Sequence, residues 1–406
     1  MLSALWLGTA ALADVTADEV WQNWKDLAAA SGQTLSVGTE LRAGDTLTLG
    51  AVRYQVEAEG TKAVATIDQV VMRERGDGTV EITLSPEYPM TVETPREDGQ
   101  TTVIDAMFRH SGLQLIAGGS ATETSYDLSA ESISGTLVRA LDAGVLRDVA
   151  VDVLGTGLAA SYMFRQGTPA DVASTFSLRD LTISAAVNDP EKQAKFKLDA
   201  KTAQIAGASS GSLVDGMESG DLAKMLADGF ATELALTFGA SDYSFSSEQD
   251  GGTAEGNSIA AGGSLNFALD RLRAAYGVGA KGVTMRFAGS GLPIPEVSFG
   301  YDELAFNILT PISKTNTPQD FALTTKIVGL NVSDLLWMLI DANGQLPHDP
   351  ATLVIEARGK AQLNVDLAAG EDVLGAEVPA DLHALDLTAL QLTVAGAELK
   401  GSGGLT

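Results

Sequence analysis

Side chains that could act as catalytic bases, nucleophiles or metal ligands are scarce in this sequence. It contains three histidines, His110, His348 and His383, and no cysteine. No two histidines are three or four residues apart, the spacing that places two imidazoles on one face of a helix. The composition excludes thiolate nucleophiles, disulfides and zinc sites with thiolate ligands. Any catalytic histidine would therefore depend on partners from distant parts of the chain.

One serine has the sequence surroundings of a hydrolase nucleophile. Ser209 lies in residues 207–211, which read Gly-Ala-Ser-Ser-Gly and match the pattern G-x-S-x-G. A nucleophile elbow must join a strand to a helix, and an acid and a histidine must follow it in the chain. His348 and His383 are the histidines that follow Ser209. Low complexity in Gly, Ser and Ala explains the match, and a serine hydrolase stays a remote alternative.

A glycine motif matches a nucleotide-binding pattern, but the elements predicted on either side of it are in the wrong order. Gly277, Gly279 and Gly282 match G-x-G-x-x-G. The dinucleotide fingerprint requires a strand before the glycines and a helix after them. Here the sequence predicts a helix over 264–276 and a strand over 283–287, which is the reverse order. We therefore predict no cofactor.

Acidic turns are the remaining candidates for metal ligands. Asp68, Asp77 and the acidic run at residues 248–250 could contribute oxygen ligands to calcium. None of them has the alternating ligand spacing of a calcium-binding loop. Since the chain has 53 Asp and Glu residues, some acidic clusters are expected by chance. The sequence therefore predicts no metal site.

Large apolar side chains are concentrated between Val297 and Ile340. We predict that Phe299, Tyr301, Phe306 and Trp337 form an apolar ligand-binding groove. Sites for acyl chains are mostly apolar and contain few polar groups. The alternative is that these residues fill an ordinary core, where such side chains are usually found.

The elements that must position these residues are predominantly strands. Apolar and polar residues alternate in residues 196–200, 321–323, 353–357 and 361–367. Alternation indicates strands with one buried face, whereas strands of parallel sheets read as continuous apolar runs. We therefore predict a mainly β protein: one large, twisted antiparallel sheet or meander, with a few covering helices.

Four segments share a pattern of apolar residues at relative positions one, four and six. They are Ile67–Met72, Leu178–Ile183, Tyr301–Phe306 and Leu387–Leu392. A step of three residues followed by a step of two shifts the phase of the alternation, as a β-bulge does. The unequal distances between the copies favour related strands of one bent sheet over a solenoid.

Helices interrupt the strands at a few places. Thr16 and Glu19 have the spacing of a capping box and predict a first helix that ends at Gly32. Ser333 is predicted to cap a second, very apolar helix. Weaker helix candidates are residues 220–230 and 264–276.

The domain organisation follows from these elements. We predict a partial signal peptide over residues 1–13 and one elongated β-rich unit over 14–406. The Gly/Ser-rich segments 207–212 and 249–263 are predicted to be loops, and the unit could divide into two lobes near 207–263. Residues 401–406 look like the start of another strand, so we expect the C-terminus to be truncated.

Charge and the N-terminal segment restrict the possible location and partners. The net charge is −27, from 26 Lys and Arg and 53 Asp and Glu. Such a charge repels nucleic acids and anionic lipid headgroups. Met1 to Ala13 contains a short apolar run that ends in Ala-Leu-Ala before Asp14, which is typical of a cleavable signal peptide. We therefore predict an exported periplasmic protein that binds no nucleic acid.

Several sequence motifs resemble one bacterial family. Residues 311–314 (PISK), 318–323 (PQDFAL) and 344–353 (GQLPHDPATL), with GKA at 359–361, are similar to the alphaproteobacterial proteins grouped as domain of unknown function 2125. The helix around Trp21 and residues 395–403 (AGAELKGSG) are similar as well. The resemblance implies a Gram-negative envelope protein and carries no catalytic residue. The β-rich build also resembles, more distantly, the periplasmic domains of AsmA-type proteins, which are associated with lipid traffic.

Together these features predict a non-enzymatic periplasmic protein. It would bind an apolar ligand such as a lipid, or an envelope partner, in a concave groove of the sheet. The competing hypothesis is a structural or scaffolding envelope protein with a fully packed core.

Overall fold

The computed structural model describes residues 15–30, 32–120, 122–214, 220–371 and 378–406. Within these ranges the chain forms one hydrogen-bonded sheet of 23 strands and three α-helices. Neighbouring strands pair in the antiparallel sense, as β-hairpins and meanders do. The prediction of a mainly β protein with a large antiparallel sheet and a few helices is confirmed.

The helices are α1 (Ala17–Ala30), α2 (Leu222–Ala227) and α3 (Asp334–Ile340). The strands are β1 (Thr34–Ser36), β2 (Thr39–Ala43), β3 (Thr46–Ala58), β4 (Thr61–Glu74), β5 (Val80–Leu84), β6 (Glu87–Pro95), β7 (Thr101–Ser111), β8 (Gln114–Ser120), β9 (Glu123–Asp142), β10 (Val145–Leu146), β11 (Asp148–Arg165), β12 (Ala170–Asp189), β13 (Ala194–Leu213), β14 (Ala231–Phe238), β15 (Ser241–Gln249), β16 (Gly252–Ala260), β17 (Gly262–Leu269), β18 (Arg273–Gly289), β19 (Glu296–Pro311), β20 (Gln319–Val332), β21 (Ala351–Leu363), β22 (Ala380–Val394) and β23 (Ala397–Leu405).

The strands cross the sheet almost in chain order. Long strands such as β9, β11, β12 and β13 pair with their sequence neighbours over most of their length. Between the long strands, two short strands often share one position: β5 and β6 both pair with β4, and β14 and β15 both pair with β13. This arrangement is a meander in which most connections join paired strands, and the others join two short strands that share one position.

The register assigns every side chain to one of two faces, because directly paired residues lie on the same side of a sheet. In β11 and β12, Val153 pairs with Ile183, whereas the preceding Asp152 pairs with Ser184. We call the side that carries Val153 the apolar face and the opposite side the charged face. The apolar face includes Met72, Ile82, Leu115, Leu128, Ile133, Leu181, Leu198, Leu234, Phe245, Phe267, Met285, Phe299, Phe306, Leu323, Ile355 and Leu390.

The charged face is crossed by ion pairs between neighbouring strands. Lys326 on β20 lies 2.6 Å from Glu356 on β21, and Lys360 lies 2.8 Å from Asp320. Opposite charges in cross-strand positions contribute roughly 0.2–1 kcal/mol each. The sheet is therefore amphipathic over its whole breadth, with solvated charges on one side and aliphatic and aromatic side chains on the other.

The alternation changes phase along a line across the sheet, which we call the crease. Asp302 on β19 lies at this line between two left-handed residues, Gly282 on β18 (φ 56°) and Gly329 on β20 (φ 67°). A left-handed residue turns the chain so that the following side chain emerges on the other face. On β18, Ala280 and Val283 therefore both lie on the apolar face, and so do their partners on β19, Leu304 and Tyr301.

The crease explains the repeated sequence pattern. In the copy Leu178–Ile183, Arg179 lies opposite Gly157 (φ 61°) and Gln204 (φ 53°). Between the paired positions Thr156–Asp180 and Ala159–Ser177, two residues of β11 and two of β12 are left unpaired. The alternation therefore changes phase although neither strand has an extra residue. In the copy Leu387–Leu392 the register itself shifts between β22 and β23, as a bulge does. The phase shift is present in both copies, whereas the predicted bulge is confirmed at Leu387–Leu392 and is wrong at Leu178–Ile183, where no residue is inserted.

The largest buried core lies where α1 covers the apolar face. Val20 and Trp21 of α1 pack against Leu49, Val70 and Ile82 of β3, β4 and β5. The predicted capping box begins this helix: the Glu19 amide donates to Thr16 Oγ1 at 3.3 Å, and the Thr16 amide donates to Glu19 Oε2 at 2.9 Å. The first helix and its capping signal are confirmed.

A smaller core forms under α2. Leu226 packs with Ile312, which follows β19, and with Ala368 in a short 3-10 turn at Leu367–Ala369. Arg271 forms two hydrogen bonds to the Asp366 carboxylate, at 2.9 and 2.8 Å, and thereby fastens this turn to the β17–β18 connection. The α2 helix confirms the predicted helix in residues 220–230.

The predicted helix over 264–276 is wrong. These residues form β17 and the beginning of β18, joined by a turn in which the Asp270 carboxylate accepts from the Leu272 amide at 2.8 Å. The alternation of Leu265, Phe267 and Leu269 fits a strand, and it outweighs the helical propensity of the Ala and Leu residues.

The loops predicted at 207–212 and 249–263 are wrong as well. Residues 207–212 lie inside β13, and β16 occupies most of 249–263. Glycines in these strands leave room for aromatic rings: Gly256 lies between Phe245 and Phe287, whose ring centroids are 6.3 Å apart. Since β13 to β18 pair across this region, the division into two lobes stays a prediction.

The predicted signal peptide, residues 1–13, lies outside the described residues. Among the residues that are described, none of the helices is long and apolar enough to cross a bilayer.

Candidate functional site

A groove on the apolar face is the principal candidate site. It has a volume of 810 Å³, is open to solvent, and is formed by β6, β7, β9, β11 and β12. Its lining is predominantly apolar, with Ile104, Phe108, Leu137, Val151 and Leu181 among the lining residues. The volume lies within the range of about 300–1,000 Å³ that is typical of small-molecule sites. We call this feature the apolar groove.

Simple alternation places these side chains together. Val149, Val151 and Val153 are every second residue of β11, so all three face the groove. On β9, Gly135 leaves space for the aromatic wall, because a Cβ at this position would lie 3.2 Å from Cε1 of Phe108. The ring of Phe108 stacks on Tyr88 of β6 at a centroid distance of 5.8 Å. Burial raises the pKa of the Tyr88 phenol, which keeps it protonated and uncharged.

Polar groups are confined to the rim of the apolar groove. At one end, Asp142 accepts hydrogen bonds from Arg96 and, at 2.9 Å, from Arg147. These guanidinium groups lower the pKa of the Asp142 carboxyl, Arg96 contributing most. At the other end, His110 Nε2 lies 3.0 Å from the backbone oxygen of Ser85. The rim charges are paired with each other, so the groove offers few free ionic contacts to a ligand.

The apolar face continues beyond the groove with little cover. Large side chains remain more than a third exposed on successive strands, among them Tyr162, Phe176, Phe196, Leu234, Tyr243, Phe267, Tyr276, Phe306 and Leu392. Exposed apolar patches larger than a few hundred Å² are uncommon on monomeric proteins and usually mark interaction sites. The apolar groove is therefore one part of a much longer apolar surface.

Three of the four predicted ligand-binding residues lie together on this surface. Phe299, Tyr301 and Phe306 are on the apolar face of β19, and the ring of Phe306 lies 6.4 Å from that of Tyr276. Burial raises the pKa of the Tyr301 phenol. These residues are several strands away from the apolar groove, so they extend the apolar surface and do not line the groove.

The fourth predicted residue, Trp337, lies on α3 after the end of β20. Its indole stacks on the imidazole of His348 with ring centroids 4.5 Å apart and an interplanar angle of 4°. His348 Nδ1 is also 3.4 Å from Asp334 Oδ1. The predicted helix after Ser333 is confirmed, although the Ser333 side chain forms no capping hydrogen bond.

The geometry around Ser209 does not form a nucleophile elbow. Ser209 lies in the middle of β13, paired with Ser174 and Leu234, and its Oγ is 2.7 Å from Ser174 Oγ. An elbow requires a sharp turn from a strand into a helix. The sequence match at 207–211 therefore lacks the local structure on which the hydrolase chemistry depends.

The glycine and acidic motifs are also structural. Gly277 and Gly279 lie inside β18, and Gly282 is a crease residue with positive φ. The Asp77 carboxylate accepts from the Thr79 hydroxyl at 2.6 Å within a turn. In the described part of the chain, no three acidic or histidine side chains are grouped closely enough to hold a metal ion.

Comparisons of the chain with protein-family models, with curated proteins and with solved structures found no match. The resemblance to domain of unknown function 2125, and the more distant one to AsmA-type proteins, therefore stays a prediction.

Proposed function

We propose that this protein is a non-enzymatic periplasmic binding protein for an apolar ligand, with the apolar groove as its main site. The ligand class that fits is an acyl chain, because the groove lining is aliphatic and aromatic and its charged rim residues are paired with each other. The observation that carries the proposal is the 810 Å³ groove on a sheet face whose large apolar side chains stay exposed.

The exposure of the apolar face favours binding over the scaffolding hypothesis. A fully packed core would bury Phe196, Tyr243 and Phe306, yet each is more than a third exposed. Fully burying one large apolar side chain stabilises a protein by about 1.5–3 kcal/mol. An extended ligand, or an envelope partner with an apolar segment, would gain part of that stabilisation on binding.

Charge is consistent with a neutral apolar ligand. The net charge of −27 disfavours nucleic acids and anionic surfaces as partners. The proposed periplasmic location comes from the predicted signal peptide and from the family resemblance, and it would place the protein beside two membranes that contain acyl chains.

Two neighbouring substitutions on β11 test the proposal. Val153→Asp places a carboxylate in the apolar groove, whereas Leu154→Asp places it on the opposite, charged face, where Leu154 is already exposed. Covering an uncompensated polar or charged group costs at least about 1–3 kcal/mol. We expect Val153→Asp to weaken the binding of a fluorescent acyl probe by about 100-fold, the factor that corresponds to roughly 2.7 kcal/mol. Leu154→Asp should change it by less than about threefold.

Both variants introduce the same strand-disfavouring aspartate at adjacent positions of β11, so a large difference in probe binding reports the face on which the carboxylate lies. Equal losses of probe binding would place the site elsewhere. If the unmodified protein does not bind the probe at all, the proposed function is wrong.

A further inference from the structure

Three hydroxyl groups interrupt the apolar face beside the groove. Thr202 on β13 pairs directly with Ser241 on β15, and Tyr243 lies two residues further along β15 on the same face. Thr202 Oγ1 is 3.0 Å from the Tyr243 phenol oxygen, so these two hydroxyls bond to each other. Ser258 pairs with Tyr243 on the same face, so this group forms a locally polar part of an otherwise hydrophobic surface.

The Ser241 hydroxyl is buried and has no partner. Ser241 is 6% exposed, and its Oγ has no hydrogen-bond partner in the described chain. A buried hydroxyl without a partner costs free energy, and such groups in native proteins require an explanation. Because paired residues share a face, Ser241 is directed toward the same side of the sheet as Leu181 and Thr202.

This hydroxyl lies within reach of a ligand in the apolar groove. Leu181 lines the groove and pairs with Thr202, which in turn pairs with Ser241. Neighbouring strands are about 4.8 Å apart, so Ser241 lies roughly 10 Å from Leu181 across the sheet. An acyl chain longer than the groove could place an oxygen-bearing group at this position.

The surrounding charges define the chemistry of that group. Asp242, which follows Ser241, and Lys201, which precedes Thr202, pair with each other across the strands and belong to the charged face. Lys201 therefore does not lie on the apolar face, where it could balance a carboxylate or phosphate bound at Ser241. The unpartnered hydroxyl can donate to a neutral acceptor, such as an ester carbonyl oxygen.

We propose that Ser241 is the hydrogen-bond donor of a ligand subsite for a neutral acyl ester, with its carbonyl oxygen at Ser241 Oγ and its chain in the apolar groove. This proposal rests on the proposed function and specifies its ligand class. Since Ser241 Oγ is covered, a neighbouring side chain must move before an ester can reach it. Tyr243, two residues along the same face, is half-exposed and can change rotamer within nanoseconds.

Displacement of an apolar fluorescent dye by two uncharged probes tests the subsite. The probes are methyl palmitate, which has an ester carbonyl, and n-octadecane, which has a similar length and no oxygen. We expect Ser241→Ala to weaken methyl palmitate binding by about five- to tenfold, the effect of one hydrogen bond, and to leave octadecane binding unchanged. Ser247→Ala is the matched control, since Ser247 is on the same strand and face, beside Phe196.

Thermal unfolding of the ligand-free variants provides a second measurement. Ser241→Ala removes an unpartnered buried hydroxyl, so its midpoint should equal or exceed that of the unmodified protein. A lower midpoint would show that the hydroxyl has a structural role, and it would overturn the subsite. Unchanged methyl palmitate binding, or an equal loss for both probes, would overturn it too. If neither probe displaces the dye from the unmodified protein, the proposed function fails first, which separates the two failures.

Discussion

The stability costs of two leucine-to-alanine substitutions on the apolar face distinguish an open face from a packed one. Leu49 on β3 is 0% exposed beneath α1, whereas Leu234 on β14 is 38% exposed. Truncation of an enclosed leucine loses its transfer free energy and leaves a cavity, so Leu49→Ala should cost about 3–4 kcal/mol. Leu234 is partly in contact with solvent, so Leu234→Ala leaves no enclosed cavity and should cost about 1 kcal/mol of unfolding free energy.

Urea unfolding followed by far-UV circular dichroism measures both costs, because the sheet dominates the signal. The expected difference of about 2–3 kcal/mol would appear as a lower midpoint for Leu49→Ala at a similar dependence on urea. Equal costs near 3 kcal/mol would show that Leu234 is enclosed as tightly as Leu49 and that the apolar face is not open there. That result would favour the scaffolding hypothesis.

Two further substitutions test the crease and the α2 core. Gly329→Ala should destabilise the protein by about 1–2 kcal/mol, because Gly329 has φ 67° and a Cβ there would collide with Asp302. The control is Gly291→Ala, which should be neutral in the same urea experiment because no atom lies within 4 Å of the added Cβ. Asp366→Asn should lower the free energy of unfolding by about 1–2 kcal/mol near pH 7. This is less than for a fully buried ion pair, because solvent screens the partly exposed Arg271. The hydrogen bonds from Arg271 lower the pKa of Asp366, so this stabilisation is present above the unfolded-state pKa of about 3.9 and disappears as the pH falls through the lower folded-state pKa. The two proteins should therefore converge in stability in strong acid, and a difference that persists there would contradict the assignment.

Local patterns predicted the elements whose signals are local. The reciprocal Thr16 and Glu19 hydrogen bonds formed as the capping box predicts. The strands with clean alternation, such as Leu353, Ile355 and Ala357, are in β21 as expected. Failures occurred where two local signals competed, as in 264–276, where helix-forming residues also alternate with period two.

The position of the groove could not be predicted in the same way. Its alternating signals, Ile104 with Phe108 and Val149 with Val153, are present in the sequence, but alternation alone does not show which strands become neighbours. The groove also depends on where α1 covers the apolar face and where it does not, a long-range property of the fold. The aromatic residues of β19 were the stronger sequence signal, and they lie on the same face at a distance from the groove.

The buried, unpartnered hydroxyl of Ser241 could not be predicted without the pairing register of β13 and β15. Serine in a strand has no sequence signal that separates a solvated side chain from a buried one. Its burial follows from the pairing of β13 with β15 beside the crease, which places Thr202 and Tyr243 next to it.

Native mass spectrometry of the protein purified from a bacterial periplasm, followed by lipid extraction, shows whether the protein carries an acyl ligand. We expect a bound acyl compound at close to one per chain, and a bare polypeptide for the Val153→Asp variant. A bare mass for the unmodified protein, with no lipid in the extract, would contradict it.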